Sequence, residues 1–260
     1  MFEQLISTFH QSPAYFYSFV AILSLLIGSF LNVVILRFPK MLEQGWYLEC
    51  REFLADEVKA TPPKDITPLT LSKPNSTCPS CGHEIKFYEN IPVISWLLLK
   101  GKCSQCKQAI SVRYPLIEAI TSFLSVVIAY QYGVSEQTLF LLLLTWGLIA
   151  LTMIDFDTML LPDQITLPLV WLGLLVNING LFIPLEQAVI GAVVGYMSLF
   201  SIFWLFKLLT GKEGMGYGDF KLVAVFGAWM GWQLLPLLIL MASLVGAIVG
   251  LSLMAFKGHK

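Results

Sequence analysis

The chain has 260 residues, 57% of them apolar and only 13% charged. A soluble domain carries roughly a quarter charged residues, so charge here is too scarce to coat a water-soluble globule, and the surplus of apolar side chains must face lipid. The formal net charge of −1 says nothing by itself about partners; what matters is where the charges sit.

Residues 1–14 contain no Lys or Arg, so the basic start of a cleavable signal peptide is missing. The apolar run that follows, about Tyr15 to Leu36, is expected to stay as a membrane helix. A polar segment runs from Arg37 to Arg113. Apolar runs then follow at about 114–131, 136–154, 164–180, 185–206, 220–232 and 234–256. The run at 220–232 is short for a crossing of about 20 residues. The expected fold is an all-α polytopic membrane protein with about seven to eight transmembrane helices. Its expected parts are a first span (1–36), an insert (37–113) and a helical membrane core (114–260).

Lys and Arg test the topology. Of the 16, eleven lie in 37–113, three are Lys207, Lys212 and Lys221, and two are Lys257 and Lys260. With seven spans all of these segments share one side, which the positive-inside rule makes cytoplasmic. The N-terminus is then outside and the C-terminus inside.

Within the insert, residues 59–77 read as an extended, Pro-rich linker. Residues 91–99, Ile-Pro-Val-Ile-Ser-Trp-Leu-Leu-Leu, are apolar but too short to span. They are expected to pack on the neighbouring metal site or to dip into the headgroup layer. Four of the five cysteines form two C-x-x-C pairs, Cys78/Cys81 and Cys103/Cys106, 21 residues apart. Each pair makes a tight knuckle aiming two thiolates at one point, and two knuckles complete a tetrahedral set for Zn²⁺. The alternative is a redox pair of vicinal thiols. A catalytic zinc is disfavoured, because four thiolates leave no position open for water. Cys50 stands outside the set, and His83 reads as a neighbour of the ligands or a surface residue.

Ionisable residues at membrane depth are costly and mark function. Asp155 ends the third apolar run, and Asp219 follows the Gly-rich segment Gly214-Met215-Gly216-Tyr217-Gly218. By the topology above, both lie at the cytoplasmic ends of spans. Paired carboxylates suit aspartyl proteolysis, in which one is ionised to activate water and the other keeps a proton to polarise the scissile carbonyl. Gly216 and Gly218 would let the backbone approach a substrate strand. Asp157 and Asp163 read as polar residues of a short loop. A proton-coupled transporter and a non-enzymatic adaptor docking through the zinc ribbon are the rival readings.

Motifs along nearly the whole chain then point one way. They are Gly28-Ser-Phe-Leu-Asn-Val-Val-Ile35 with Arg37-Phe-Pro39, Cys78-Pro-Ser-Cys-Gly-His83, Tyr88-Glu-Asn-Ile-Pro-Val-Ile-Ser-Trp-Leu97 and Arg113-Tyr-Pro-Leu-Ile-Glu118. Asp155 with Leu161-Pro-Asp163, and Gly216-Tyr-Gly-Asp-Phe-Lys221, complete the set. Together they resemble the type IV prepilin leader peptidases of bacterial pilus and type II secretion systems. The resemblance implies an enzyme of the bacterial inner membrane that clips the basic leader of prepilins and pseudopilins after a glycine, on the cytoplasmic side. It implies Asp155 and Asp219 as the catalytic pair. It also implies N-methylation of the new N-terminal residue with S-adenosylmethionine. No methyl-donor fingerprint is recognisable, so that activity rests on the resemblance and its residues are left unassigned. The implied partners are these substrates and membrane lipid, with no nucleic acid.

Overall fold

A computed structural model of the chain describes residues 2–54 and 69–257. Among the described residues the regular structure is helical, with only two isolated β-bridges, Thr77 to Glu84 and Lys102 to Ala109. The chain forms two compact units, Met1–Leu160 and Leu161–Lys260.

The first unit contains α1 (Phe2–Gln11), α2 (Pro13–Phe53), a 3-10 turn (Phe87–Asn90), α3 (Ile94–Leu98), α4 (Arg113–Tyr132) and α5 (Glu136–Thr158). α2 starts with Pro13 in its first turn, where a missing N–H costs nothing and the fixed φ suits a helix. The apolar stretch ends near Leu36, but the helix does not. It passes through Pro39 and runs on to Phe53, for 41 residues in all. Pro39 removes one backbone donor at a cost of about 3 kcal/mol. Met41, Leu42, Glu43 and Gln44 behind it are strong helix formers that carry the helix on.

α2 packs on α4 and α5, and α4 on α5. The α2–α4 crossing is built from small residues, which let two backbones approach where lipid offers no hydrophobic drive. A Cβ on Gly28 would lie 2.8 Å from the Cα of Glu118. Ser24, Thr121 and Ser125 are wholly buried. The Thr121 and Ser125 hydroxyls donate to the carbonyls of Ile117 and Thr121, each at 2.7 Å, and Trp146 Nε1 donates to Ser125 Oγ at 3.0 Å. Tyr15, Ile22, Leu26 and Phe123 face outward. At the start of α5, Ser135 Oγ caps the helix by accepting from the Thr138 amide at 3.2 Å.

The second unit contains α6 (Asp163–Val176), α7 (Leu185–Thr210), α8 (Tyr217–Met230) and α9 (Leu235–Lys257). α7 and α8 cross in backbone contact at Gly191 and Gly227, and a Cβ on Gly195 would sit 2.7 Å from the Val223 carbonyl oxygen. Gly191 and Gly195 form a small-x-x-x-small face, which aligns glycines one turn apart. Leu199, Phe203, Phe220, Val223 and Leu235 make the core above this crossing. Asn177 is wholly buried and fully used. It donates to the Ala228 carbonyl at 3.0 Å and accepts from the amides of Phe182 and Ile183 at 3.0 and 3.1 Å.

Five helices are long and apolar enough to cross a membrane: Pro13–Phe53, Arg113–Tyr132, Glu136–Thr158, Leu185–Thr210 and Trp232–Ser252. α6, with 14 residues, is a shorter apolar helix, and α8, of the same length, carries Asp219 and Lys221 near its start. The protein is thus a multi-pass membrane protein, and the helix count is roughly as the sequence led one to expect. Residues 59–68 of the expected linker lie outside the described residues, while 69–77 are irregular, with bends at 71–74 and a bridge at Thr77.

Candidate active site and metal centre

The two C-x-x-C segments fold into the same turn twice. The Cys78 amide donates to the His83 carbonyl and the Cys103 amide to the Gln108 carbonyl, both at 2.8 Å. Each turn ends on a left-handed residue, Gly82 with φ 71° and Lys107 with φ 59°. The four sulfurs of Cys78, Cys81, Cys103 and Cys106 lie within 4.8 Å of one another and could hold a metal ion. Cys50, exposed on α2, is not among them.

Backbone amides prepare these sulfurs for charge. The amides of Cys81 and Ser80 hold the Cys78 thiol down at about 6. Those of Cys106 and Gln105 lower Cys103. At Cys81 the His83 amide also lowers, but burial and the neighbouring sulfurs outweigh it and push the thiol up to about 11. Four thiolates this close cannot all ionise without a cation between them.

Glu89 ties the knuckles together. The Ser104 side chain, the Lys86 amide and His83 hold its carboxyl down at about 2. Ser104 belongs to the second knuckle, and His83, 3.2 Å from Glu89 Oε2, follows the first. The apolar 91–99 segment forms α3, and its Trp96 packs on this module. The indole lies against Gly101, and Nε1 donates to the Ile110 carbonyl at 3.2 Å. Leu97 and Leu98 of the same helix point outward.

The carboxylates sit at helix ends. Asp155, exposed in the last turn of α5, has its carbonyl capped by the Met159 amide at 2.8 Å. Two residues on, Asp157 takes both guanidinium nitrogens of Arg113, at 2.7 and 2.6 Å. Asp163 opens α6 and accepts from Lys221 Nζ at 2.6 and 2.7 Å. Asp219 is half-buried in the first turn of α8, with its amide 3.3 Å from the Gly216 carbonyl. Asp155 belongs to the first unit and Asp219 to the second.

The glycines before Asp219 do not supply left-handed backbone. Gly214, Gly216 and Gly218 all have ordinary negative φ. What Gly218 supplies is room: a Cβ there would lie 2.6 Å from the Cβ of Leu161. The Gly-Tyr-Gly-Asp segment is thereby clamped to Leu161-Pro162-Asp163, at Gly218 by contact and at Lys221 by charge. The space beside Gly216 is open apart from the Asp219 carboxylate, 3.7 Å away.

Residues 22–132 match the bacterial peptidase A24 N-terminal domain, and residues 142–251 match the type IV leader peptidase family. The similarity extends to whole chains. A prepilin leader peptidase/N-methyltransferase of Aeromonas salmonicida is 55% identical over 250 residues, covering 96% of this chain and 85% of the relative. The chain belongs to the type IV leader peptidase family. Relatives of the same description from Pseudomonas aeruginosa and Neisseria gonorrhoeae are 56% and 51% identical, over 94% and 92% of this chain and 83% and 82% of theirs. No solved structure matches. Family membership favours neither the transporter nor the adaptor.

For this family member, sequence reasoning missed one carboxylate. Glu118 is the sole ionisable acid in the apolar run 114–131, and it is 7% exposed. The signal was available, since an acid inside an apolar span is itself unusual.

Proposed function

We propose that the chain is an intramembrane aspartyl endopeptidase that removes the leader of type IV prepilins and pseudopilins after a glycine, on the cytoplasmic face of the bacterial inner membrane. It then N-methylates the new N-terminal residue, with S-adenosylmethionine as the methyl source. The observation that carries this reading is Asp219, fixed at the start of α8 by the Gly218–Leu161 contact and the Lys221–Asp163 pair, in a chain of this family.

Asp155 and Asp219 act as the catalytic pair. One carboxylate takes a proton from water as the water oxygen attacks the scissile carbonyl carbon. The other gives its proton to the carbonyl oxygen. Collapse of the resulting diol, with a proton passed to the amide nitrogen, breaks the C–N bond. The open space at Gly216 admits an extended substrate backbone beside Asp219.

The four cysteines hold Zn²⁺ in a closed, structural site. The donor set fits this ion, with four soft thiolates in tetrahedral reach and backbone amides aimed at Cys78 and Cys103.

The test is mass spectrometry of a prepilin incubated with purified protein and S-adenosylmethionine. The expected product has lost its leader and gained one methyl group at the new N-terminus. A substrate left intact by correctly folded protein would sink the reading.

A further inference from the structure

A cavity of about 570 Å³ lies within the first unit, between α2, the start of α4 and the cysteine insert. Pockets that bury small ligands span roughly 300–1,000 Å³. Its least expected wall is Glu118. The carboxylate accepts from the Val93 amide at 2.8 Å, and Ser29 and Asn32 line the cavity beside it. Asn32 is positioned in turn by donating to the Tyr114 carbonyl at 3.2 Å. Among the described residues, no Lys, Arg or His forms an ion pair with Glu118. Buried charges are ordinarily paired. Glu118 instead has a backbone amide as its partner and opens on the cavity, where a cation could sit beside it.

The rest of the lining is suited to a particular kind of cation. Trp96 and Tyr114 supply aromatic surface, and Arg37 supplies a guanidinium. A second carboxylate, Glu89, faces the same space. Val93 adds a further sign. It is β-branched yet stands at φ 59°, ψ −47°, where such residues are outliers. Strain of this kind gathers at ligand clamps, and here it accompanies the aiming of the Val93 amide at Glu118.

We propose that this cavity binds S-adenosylmethionine, with the sulfonium beside Glu118, the adenine against the aromatic side chains and the amino-acid carboxylate toward Arg37. The assignment rests on the methyl-transfer reading above. In the transfer, the lone pair of the pilin amine forms the N–C bond while the C–S electron pair returns to sulfur. The amine nitrogen then gives its proton to water. The ligand becomes a neutral thioether, so Glu118 favours the donor over S-adenosylhomocysteine.

The test uses the full-length protein in detergent. Ultraviolet labelling of the wild type with radiolabelled S-adenosylmethionine, followed by peptide mapping, should place the label on peptides carrying Trp96 or Tyr114. By calorimetry, Glu118→Gln should weaken S-adenosylmethionine at least tenfold and S-adenosylhomocysteine less than threefold. Metal content and helical content report folding of the variant. Label confined to other peptides, unchanged donor affinity in a folded Glu118→Gln protein, or equal weakening of both ligands would overturn the assignment. Methyl transfer by the wild type in the same preparation separates the two failures. If transfer occurs and the label lies elsewhere, only the cavity is misassigned; if the wild type transfers no methyl group to a cleaved prepilin, the underlying function falls.

Discussion

Asp155 and Asp219 carry the sharpest consequence of the proposed chemistry. Positioned general acids and bases each contribute about 10²–10⁴-fold to rate. Asp155→Asn and Asp219→Asn should each lower leader cleavage by at least a hundredfold, with helical content and metal content intact. A single variant cleaving within tenfold of the wild type would remove that residue from the pair. Both aspartates stand out in the sequence because acids near apolar runs are rare. The partners of their neighbours do not. Arg113 lies 44 positions from Asp157, and Lys221 lies 58 from Asp163. No local pattern records a pairing at that distance, so two acids that read as loop polarity turn out to anchor helix ends. Glu118 is the opposite case, an acid whose place inside an apolar run is itself a local signal.

The insert shows where local pattern suffices. Two C-x-x-C pairs dictate two knuckles, and the knuckles form. Zn²⁺ binding must displace the Cys81 proton near neutrality, because that thiol sits at about 11. Below about 6 the Cys78 thiol must also lose its proton. Zinc affinity should therefore rise with pH, and fall more steeply once the pH drops below 6. Competition with a chromophoric chelator between pH 5 and 8 reads this. Cys106→Ser should lower zinc content while Cys50→Ser should not. Equal loss in both, or an affinity flat with pH, would count against the ligand set. The end of α2 shows the reverse. Hydropathy marks where apolar residues stop, near Leu36, but a helix satisfies its own backbone in water as well as in lipid, so α2 runs on. The α7–α8 crossing was written in Gly191 and Gly195 yet is recognisable only once the partner helix is known. Gly227→Ala forces a methyl into the facing Gly191 backbone. It should destabilise the protein by about 1–3 kcal/mol, read as a lower unfolding midpoint. An unchanged midpoint would show that the crossing relaxes freely.

For the whole chain, composition fixed the class. Scarce charge called for lipid, and five long apolar helices supply the surface for it. Orientation rests on the one-sided Lys and Arg. In intact cells a membrane-impermeant maleimide should label Ser135→Cys, at the start of α5. It should leave the exposed native Cys50 unlabelled until the membrane is permeabilised. The inverse pattern would put the insert, and the proposed site of cleavage, on the outer face.

The brevity of α6 and α8 reaches beyond the protein itself. A 14-residue helix is about 21 Å long, against a hydrocarbon layer of about 30 Å. The two pack on each other, and α6 presents Leu167, Trp171 and Leu175 outward. Helices this short fall below the thickness of an undisturbed hydrocarbon layer. Short spans are met by a thinner bilayer, by snorkelling of flanking side chains or by water above them. Hydrolysis needs a water molecule at a bond that adjoins a hydrophobic helix, and a dimple in the membrane is the cheapest way to bring one there. Cleavage should then vary with lipid chain length, read by reconstituting the protein in bilayers of different thickness.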